Sequence, residues 1–159
     1  MNKQRIRAAA VEALAQEIAR LQAAAHETRR GAVHEESRAE NDKDTRGLEA
    51  SYLARGQALR VEETVEAQTK LRFMALPTYD EESRIGLGAL VEVEVQDDRQ
   101  WLFLAVAGGG LELTVDAQQI RLVTPASPLG RALVGKEAGD EFTLTIGGRA
   151  RDYEILEIY

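Results

Sequence analysis

The residues best suited to chemistry lie in one short stretch, where Glu35, Glu36, Glu40, Asp42 and Asp44 place five carboxylates within ten positions. Carboxylate oxygens are hard ligands that suit magnesium, and a pair of them can hold an ion that activates water for in-line phosphoryl displacement. The plainer alternative is a solvated acidic loop, which these residues alone favour. Arg29, Arg30, Arg38 and Arg46 flank the same stretch. Guanidinium groups pair well with phosphates, and equally well with neighbouring acids. His26 and His34 stand eight positions apart, about 12 Å along a helix and beyond the reach of one metal ion. No stable metal site of the chain's own is expected.

The remaining candidates carry less. There is no cysteine, so disulfides, thiolate ligands and cysteine nucleophiles are excluded. Ser127 has no histidine near it in sequence, and its place before Pro128 suits a helix cap. Gly108, Gly109 and Gly110 lack the following Lys-Ser/Thr of a phosphate loop and read as a turn.

The elements that would position the acidic stretch are two helices. From Ile6 to about Arg30 there is neither Gly nor Pro, and Val11, Leu14, Ile18, Leu21 and Ala25 recur at alternating spacings of three and four. That narrow row is a coiled-coil seam for one other helix. Residues 31–47 are polar with a glycine at each end, which suits a turn. The second helix is expected from about Thr45 to Met74, with Ser51, Ala54, Ala58, Val61 and Val65 as its seam and Leu48, Tyr52 and Leu59 in an adjacent row. The hairpin is thus assigned residues 1–76, with its tip at about 31–47.

Pro77 ends the second helix, and residues 77–84 read as a charged linker before the period changes to two. Strands are expected at 89–95, 100–107, 111–115 and 120–123, then a short helix opened by Ser127-Pro128, then two strands around Gly147-Gly148. The fold class is therefore α+β: an N-terminal antiparallel coiled-coil hairpin followed, over 85–159, by an antiparallel β domain with one short helix. The net charge of −7 is uneven, +1 over residues 1–76 and −8 over 77–159. The acidic half should avoid bare nucleic acid and suit a basic protein surface. No apolar run reaches the ~20 residues of a membrane helix, and a cytoplasmic protein that avoids membranes is expected.

The string TPASPLGRALVGKEAGDEFTLTIGGRARDYEILEIY, residues 124–159, resembles the C-terminal signature of the Gre-type (GreA/GreB) bacterial transcription elongation factors. Its serine-proline helix start, Gly135-Lys136, Gly139-Asp140, Gly-Gly hairpin and closing YEILEI stand at that family's spacings, and GALVEVEV suits the domain's start. The resemblance implies an FKBP-like β domain that docks on RNA polymerase, here through Ser127, Pro128 and Arg131, and a hairpin that enters the secondary channel. It implies no cofactor of the chain's own, only the magnesium of the polymerase, and contact with RNA only inside that complex. Tip acids would act at that metal, with Glu40 first and Glu36, Asp42 and Asp44 as further candidates, while Arg29, Arg30, Arg38 and Arg46 could face RNA. The protein would be an accessory factor and not an enzyme.

The tip departs from the family's Asp-x-x-Glu-Asn, because Ser37 stands where the Asp belongs when Glu40-Asn41 is matched. Either another carboxylate substitutes, or the factor occupies the channel without promoting RNA cleavage. A monomer is one expectation, and a coiled-coil adaptor that dimerises without polymerase is the alternative. FKBP-like folds include prolyl isomerases, but strand spacing already explains Trp101, Phe103, Phe142 and Tyr153 as core.

Overall fold

The computed structural model describes residues 1–36, 43–80 and 82–159, with the side chains of these apart from 32–36 and 43–46. Two long helices come first, α1 (Lys3–Glu36) and α2 (Lys43–Arg72). α1 begins before its first apolar position because the Asn2 side chain accepts from the backbone N–H of Gln4 at 2.9 Å, the usual cap for an orphan donor. At their far ends both helices run into the polar stretch expected to be a turn, and Gly31 and Gly47 are helical. A glycine costs a helix about 1 kcal/mol, which propagation through neighbouring good helix formers such as Arg29, Arg30, Leu48 and Glu49 recovers.

Contacts divide the chain into two units, Met1–Glu12 with Ala67–Tyr159, and Ala13–Glu66. The first holds strands β1 (Leu90–Val95), β2 (Asp98–Leu104), β3 (Glu112–Val115), β4 (Gln118–Val123), β5 (Glu141–Ile146) and β6 (Arg149–Ile158), with the short helix α3 (Pro128–Leu133) between β4 and β5. They form one sheet in the order β3-β4-β2-β1-β6-β5. Its pairings are antiparallel except β2 with β4, which run parallel from Trp101↔Ile120 to Leu104↔Val123. This corrects the wholly antiparallel sheet expected from sequence. Parallel neighbours need a crossover of about a dozen residues, and here the chain makes it by passing through β3 at the sheet edge, with no helix. The hairpin turns Gln96-Asp97, Asp116-Ala117 and Gly147-Gly148 have positive φ at both residues, the form whose twist matches the strands.

The alternation along the strands sorts apolar side chains onto two buried faces. On one, Val91, Val93, Leu102, Leu104 and Ile155 pack with Leu129 and Leu133 of α3. On the other, cross-strand register joins Leu90, Phe103 and Leu122, and the paired ends of α1 and α2 supply Ile6, Ala10, Leu71 and Met74, all buried. A Cβ at Gly108 would lie 3.2 Å from Leu71 and 3.4 Å from Leu122, which fixes where helix and strand meet. Polar ties hold the same base. The Arg7 guanidinium donates to the Met74 carbonyl at 2.8 Å, Arg5 pairs with Asp116, and Lys3 donates to the Pro77 carbonyl. Burial on both faces explains why β2 reads as the near-continuous apolar run WLFL.

The Ala13–Glu66 unit is a thin pair of helices. Leu14 is buried and Ile18, Leu21, Ala25 and Thr28 are half-buried on α1, as the row of three-four spacings predicts. α2 turns inward Ala54, Gln57, Val61 and Thr64, whereas Ser51, Ala58 and Val65 of the expected seam are exposed. The seam is rotated because two of its positions are polar, which a count of apolar residues misses: Gln57 Nε2 donates to Thr28 Oγ1 at 3.1 Å. Glu17 holds the bidentate guanidinium of Arg20 at 2.8 Å and meets Arg60 across the pair at 3.7 Å. No helix among the described residues is long and apolar enough to cross a membrane.

Candidate functional site

The best-formed candidate surface is built around Ser127. Its backbone is extended, and its hydroxyl accepts from the Gly130 N–H at 3.0 Å while donating to the Thr124 carbonyl at 2.8 Å. One side chain therefore closes the turn behind it and caps the helix ahead of it, and Pro128 occupies the first helical position, where no N–H is needed. Gly130 is required by space. A Cβ there would stand 1.9 Å from the Thr124 carbonyl oxygen, so the helix can pass this close to the loop only with hydrogen at that position.

Arg131 lies one residue further on. Its guanidinium bends back to donate to the Ala126 carbonyl at 2.5 Å, which fixes an exposed cation on the rim of the turn. The structure thus gathers Ser127, Pro128 and Arg131 into one rigid corner, with Pro128 and Arg131 exposed. Beside it runs a cleft of about 320 Å³ whose walls include Gly109, Gly110, Arg121, Pro128 and Ile146. The glycine turn read from sequence as mere punctuation is one wall of this cleft. Gly109 is packed against Thr124, its Cβ position 3.0 Å from the threonine methyl. Sequence reasoning did not single out Arg121 or the half-exposed Ile146. The available signal was their placement at outward or terminal positions of β4 and β5 beside the Ser127 turn, which needs the sheet order to be seen.

A second concave surface lies across β1, β6 and β5. Glu94 pairs with Glu154, and Glu154 with Glu141, in direct cross-strand register, and Asp97 and Asp152 join them around a cleft of about 470 Å³. Like charges side by side destabilise a sheet. Here part of the cost is offset by the stack of Phe142 on Tyr153 beneath, ring centroids 5.0 Å apart, with the Lys136 ammonium 5.5 Å from the Phe142 ring. A third of the acidic side chains of the C-terminal half, five of fifteen, gathers here. Among the described residues no group of three or more His, Asp and Glu is placed to hold a metal ion.

The aromatics that suggested an isomerase pocket are dispersed. Phe103 is buried on the face covered by the helix ends, Trp101 meets Tyr159 at 5.7 Å, and Phe142 and Tyr153 form their own stack.

Of the tip residues, Glu40, Asp42 and Arg38 lie outside the described residues. Glu36 ends α1, and Asp44 and Arg46 fall in the first turn of α2, their side chains likewise outside the described set. Arg29 and Arg30 are exposed on α1, and Arg30 meets Glu27 at 3.4 Å.

Residues 80–159 match the family model described as the C-terminal domain of the transcription elongation factors GreA/GreB. The chain belongs to the GreA/GreB family. Its relatives include the transcription elongation factor GreA of Aliarcobacter butzleri, 36% identical over 84 residues, which are 52% of this chain and 49% of that one. The transcription elongation factor GreA of Halorhodospira halophila is 37% identical over 75 residues, 47% of this chain and 45% of that one. The chain spans about half the length of the curated relatives it matches. Among solved structures, the GreA factor homolog Gfh1 of Thermus thermophilus is 25% identical over 95% of both chains, with a TM-score of 0.38. The match to the GreA/GreB model contains the whole Ser127 corner and both clefts.

Proposed function

We propose that this Gre-family protein binds RNA polymerase and modulates elongation as an accessory factor with no chemistry of its own. The observation that carries this reading is the Ser127–Pro128–Arg131 corner, whose residues match the family's signature and whose hydrogen bonds preform a turn beside an apolar cleft, a shape suited to docking. A preformed corner loses little entropy on binding. The acidic sheet face suits a basic protein surface and repels bare nucleic acid.

In this reading the β domain docks at the rim of the secondary channel, and the hairpin carries residues 35–44 toward the catalytic centre. Glu40 leads, with Glu36, Asp42 or Asp44 as the second carboxylate, and Arg29, Arg30, Arg38 and Arg46 meet RNA inside the complex. The magnesium belongs to the polymerase, and the tip carboxylates would supply oxygen ligands that bias it toward cleavage of backtracked RNA. The protein works in the cytoplasm. Ser37 in the family's Asp position favours one specific second reading, a factor that occupies the channel without promoting cleavage.

Transcript cleavage in purified backtracked elongation complexes tests both. Pro128→Asp or Arg121→Glu should abolish binding and every downstream effect, whereas Glu40→Ala should leave binding intact and remove only cleavage. Normal binding with loss of activity in Pro128→Asp would overturn this division of labour. Binding by the native chain with no cleavage would establish the second reading.

A further inference from the structure

The hairpin leaves an apolar row that nothing in its own unit covers. Leu48, Tyr52 and Leu59 are 59%, 67% and 54% exposed. With Arg55 they recur at spacings of four, three and four along α2, on the side opposite the Ala54-Gln57-Val61-Thr64 row that faces α1. A three-four repeat that faces away from one helix has the pattern needed to seat another.

We propose that this row pairs two copies of the chain, α2 against α2 and antiparallel. In a pair centred between residues 53 and 54, Leu48 meets the partner's Leu59 and Tyr52 meets the partner's Arg55, each contact made twice by symmetry. The guanidinium then lies over the tyrosine ring, within reach of the partner's Glu49, one helical turn away. Among the described residues neither Glu49 nor Arg55 has an ion-pair partner within its own chain, and across the two-fold axis their opposite charges complement each other. A parallel pair in register would instead set Arg55 against Arg55.

The flanks favour close approach. A Cβ at Gly56 would meet nothing within 4 Å, so packing within the chain gives no reason for the glycine, yet the helix bears its cost of about 1 kcal/mol. In the antiparallel pair Gly56 sits beside the partner's Glu49 and clears its path to Arg55. Ser51 and Ala58, both exposed, keep the other flank equally narrow. A second copy fits the row because the row complements itself: its apolar ends meet each other, and its cation meets its ring and the adjacent acid. Residues 48–59 make a small interface, so pairing is weak and depends on concentration.

The absence of cysteine in the chain makes crosslinking a clean test. Leu48→Cys and Leu59→Cys chains, mixed and mildly oxidised, should form the 48–59 heterodisulfide faster than either homodimer. Preferential 48–48 and 59–59 bridges would overturn the antiparallel register. In sedimentation of the uncrosslinked full chain over rising concentration, a dimer should appear, and Leu59→Asp should weaken it by roughly tenfold or more, because a charge replaces buried apolar surface. Arg55→Glu should weaken it as well, and Glu49→Arg added to that variant should restore it. All these positions are exposed, so far-ultraviolet circular dichroism should report unchanged helix. A chain that stays monomeric at every concentration, or a dimer indifferent to Leu59→Asp, sinks the proposal.

Discussion

The sheet unit and the Ala13–Glu66 hairpin are built on opposite terms. In the first, Ile6, Leu71, Leu90, Phe103, Leu122 and Ile155 are among many side chains with almost no exposed surface. In the second, Leu14 is the one core side chain among the described residues, and the buried Gln57 Oε1 has no hydrogen-bond partner. Two helices can share only one narrow row, whereas a sheet covered on both faces buries nearly every inward position. The difference teaches where each property resides. Global stability belongs to the unit that would grip a partner, and the element that would reach into one is held by helix propensity and a few seam contacts, which allows it to be long and narrow.

The most severe way to break the sheet side of this contrast is Gly130→Ala. A methyl group 1.9 Å from the Thr124 oxygen forces the Ser127 corner apart, with an expected loss on the order of 4 kcal/mol in chemical denaturation. Leu71→Ala and Leu21→Ala test the contrast directly. The first empties a fully buried site and should cost about 2–5 kcal/mol. The second removes a half-buried contact and should cost less than about 1.5 kcal/mol while lowering hydrogen-exchange protection chiefly within residues 13–66. Equal losses would mean that the hairpin seam bears as much of the stability as the sheet.

Smaller changes sharpen the picture in the other direction. Ala117 holds φ 65 in the β3–β4 turn without the short polar side chain that eases this conformation. Ala117→Gly should raise the melting midpoint, with a gain of about 1 kcal/mol. In the hairpin, Gln57→Leu removes the orphaned Oε1, and Thr28 Oγ1 keeps its bond to the Ala24 carbonyl at 3.0 Å. The expected result is a gain of at most about 1 kcal/mol, visible as slower amide exchange around Thr28 and Val61. A loss there would show that the Gln57–Thr28 bond is worth more than the orphaned acceptor costs.

Most of the architecture was legible because it follows from local rules. The Val11-to-Ala25 row, the Ser127 cap with Pro128 behind it and the Gly147-Gly148 turn each depend on residues close in sequence, and each stands where the spacing placed it. What could not be read depends on distant partners. The parallel pairing of β2 with β4 follows from which strand lies beside which, information that alternation lacks. The rotated seam of α2 depends on Gln57 finding Thr28 across the hairpin. Nothing near Gly130 in sequence marks it as special, and only its distance from Thr124 shows why nothing else fits. For the candidate site, residue types and family spacing marked Ser127, Pro128 and Arg131. The cleft beside them, walled by Gly109, Arg121 and Ile146, needed the sheet order.

The strand order also sets a schedule for synthesis. β6 lies between β1 and β5, and Ile6 and Ala10 are buried with partners that begin only after residue 66. On a ribosome the two helices can form as they emerge, but the apolar side of the N-terminal turns must wait for the strands, and the edge of β1 stays open until Arg149–Ile158 has been made. A nascent chain halted before that point would carry an unpaired strand edge and bare apolar side chains together, the combination that invites aggregation or chaperone capture.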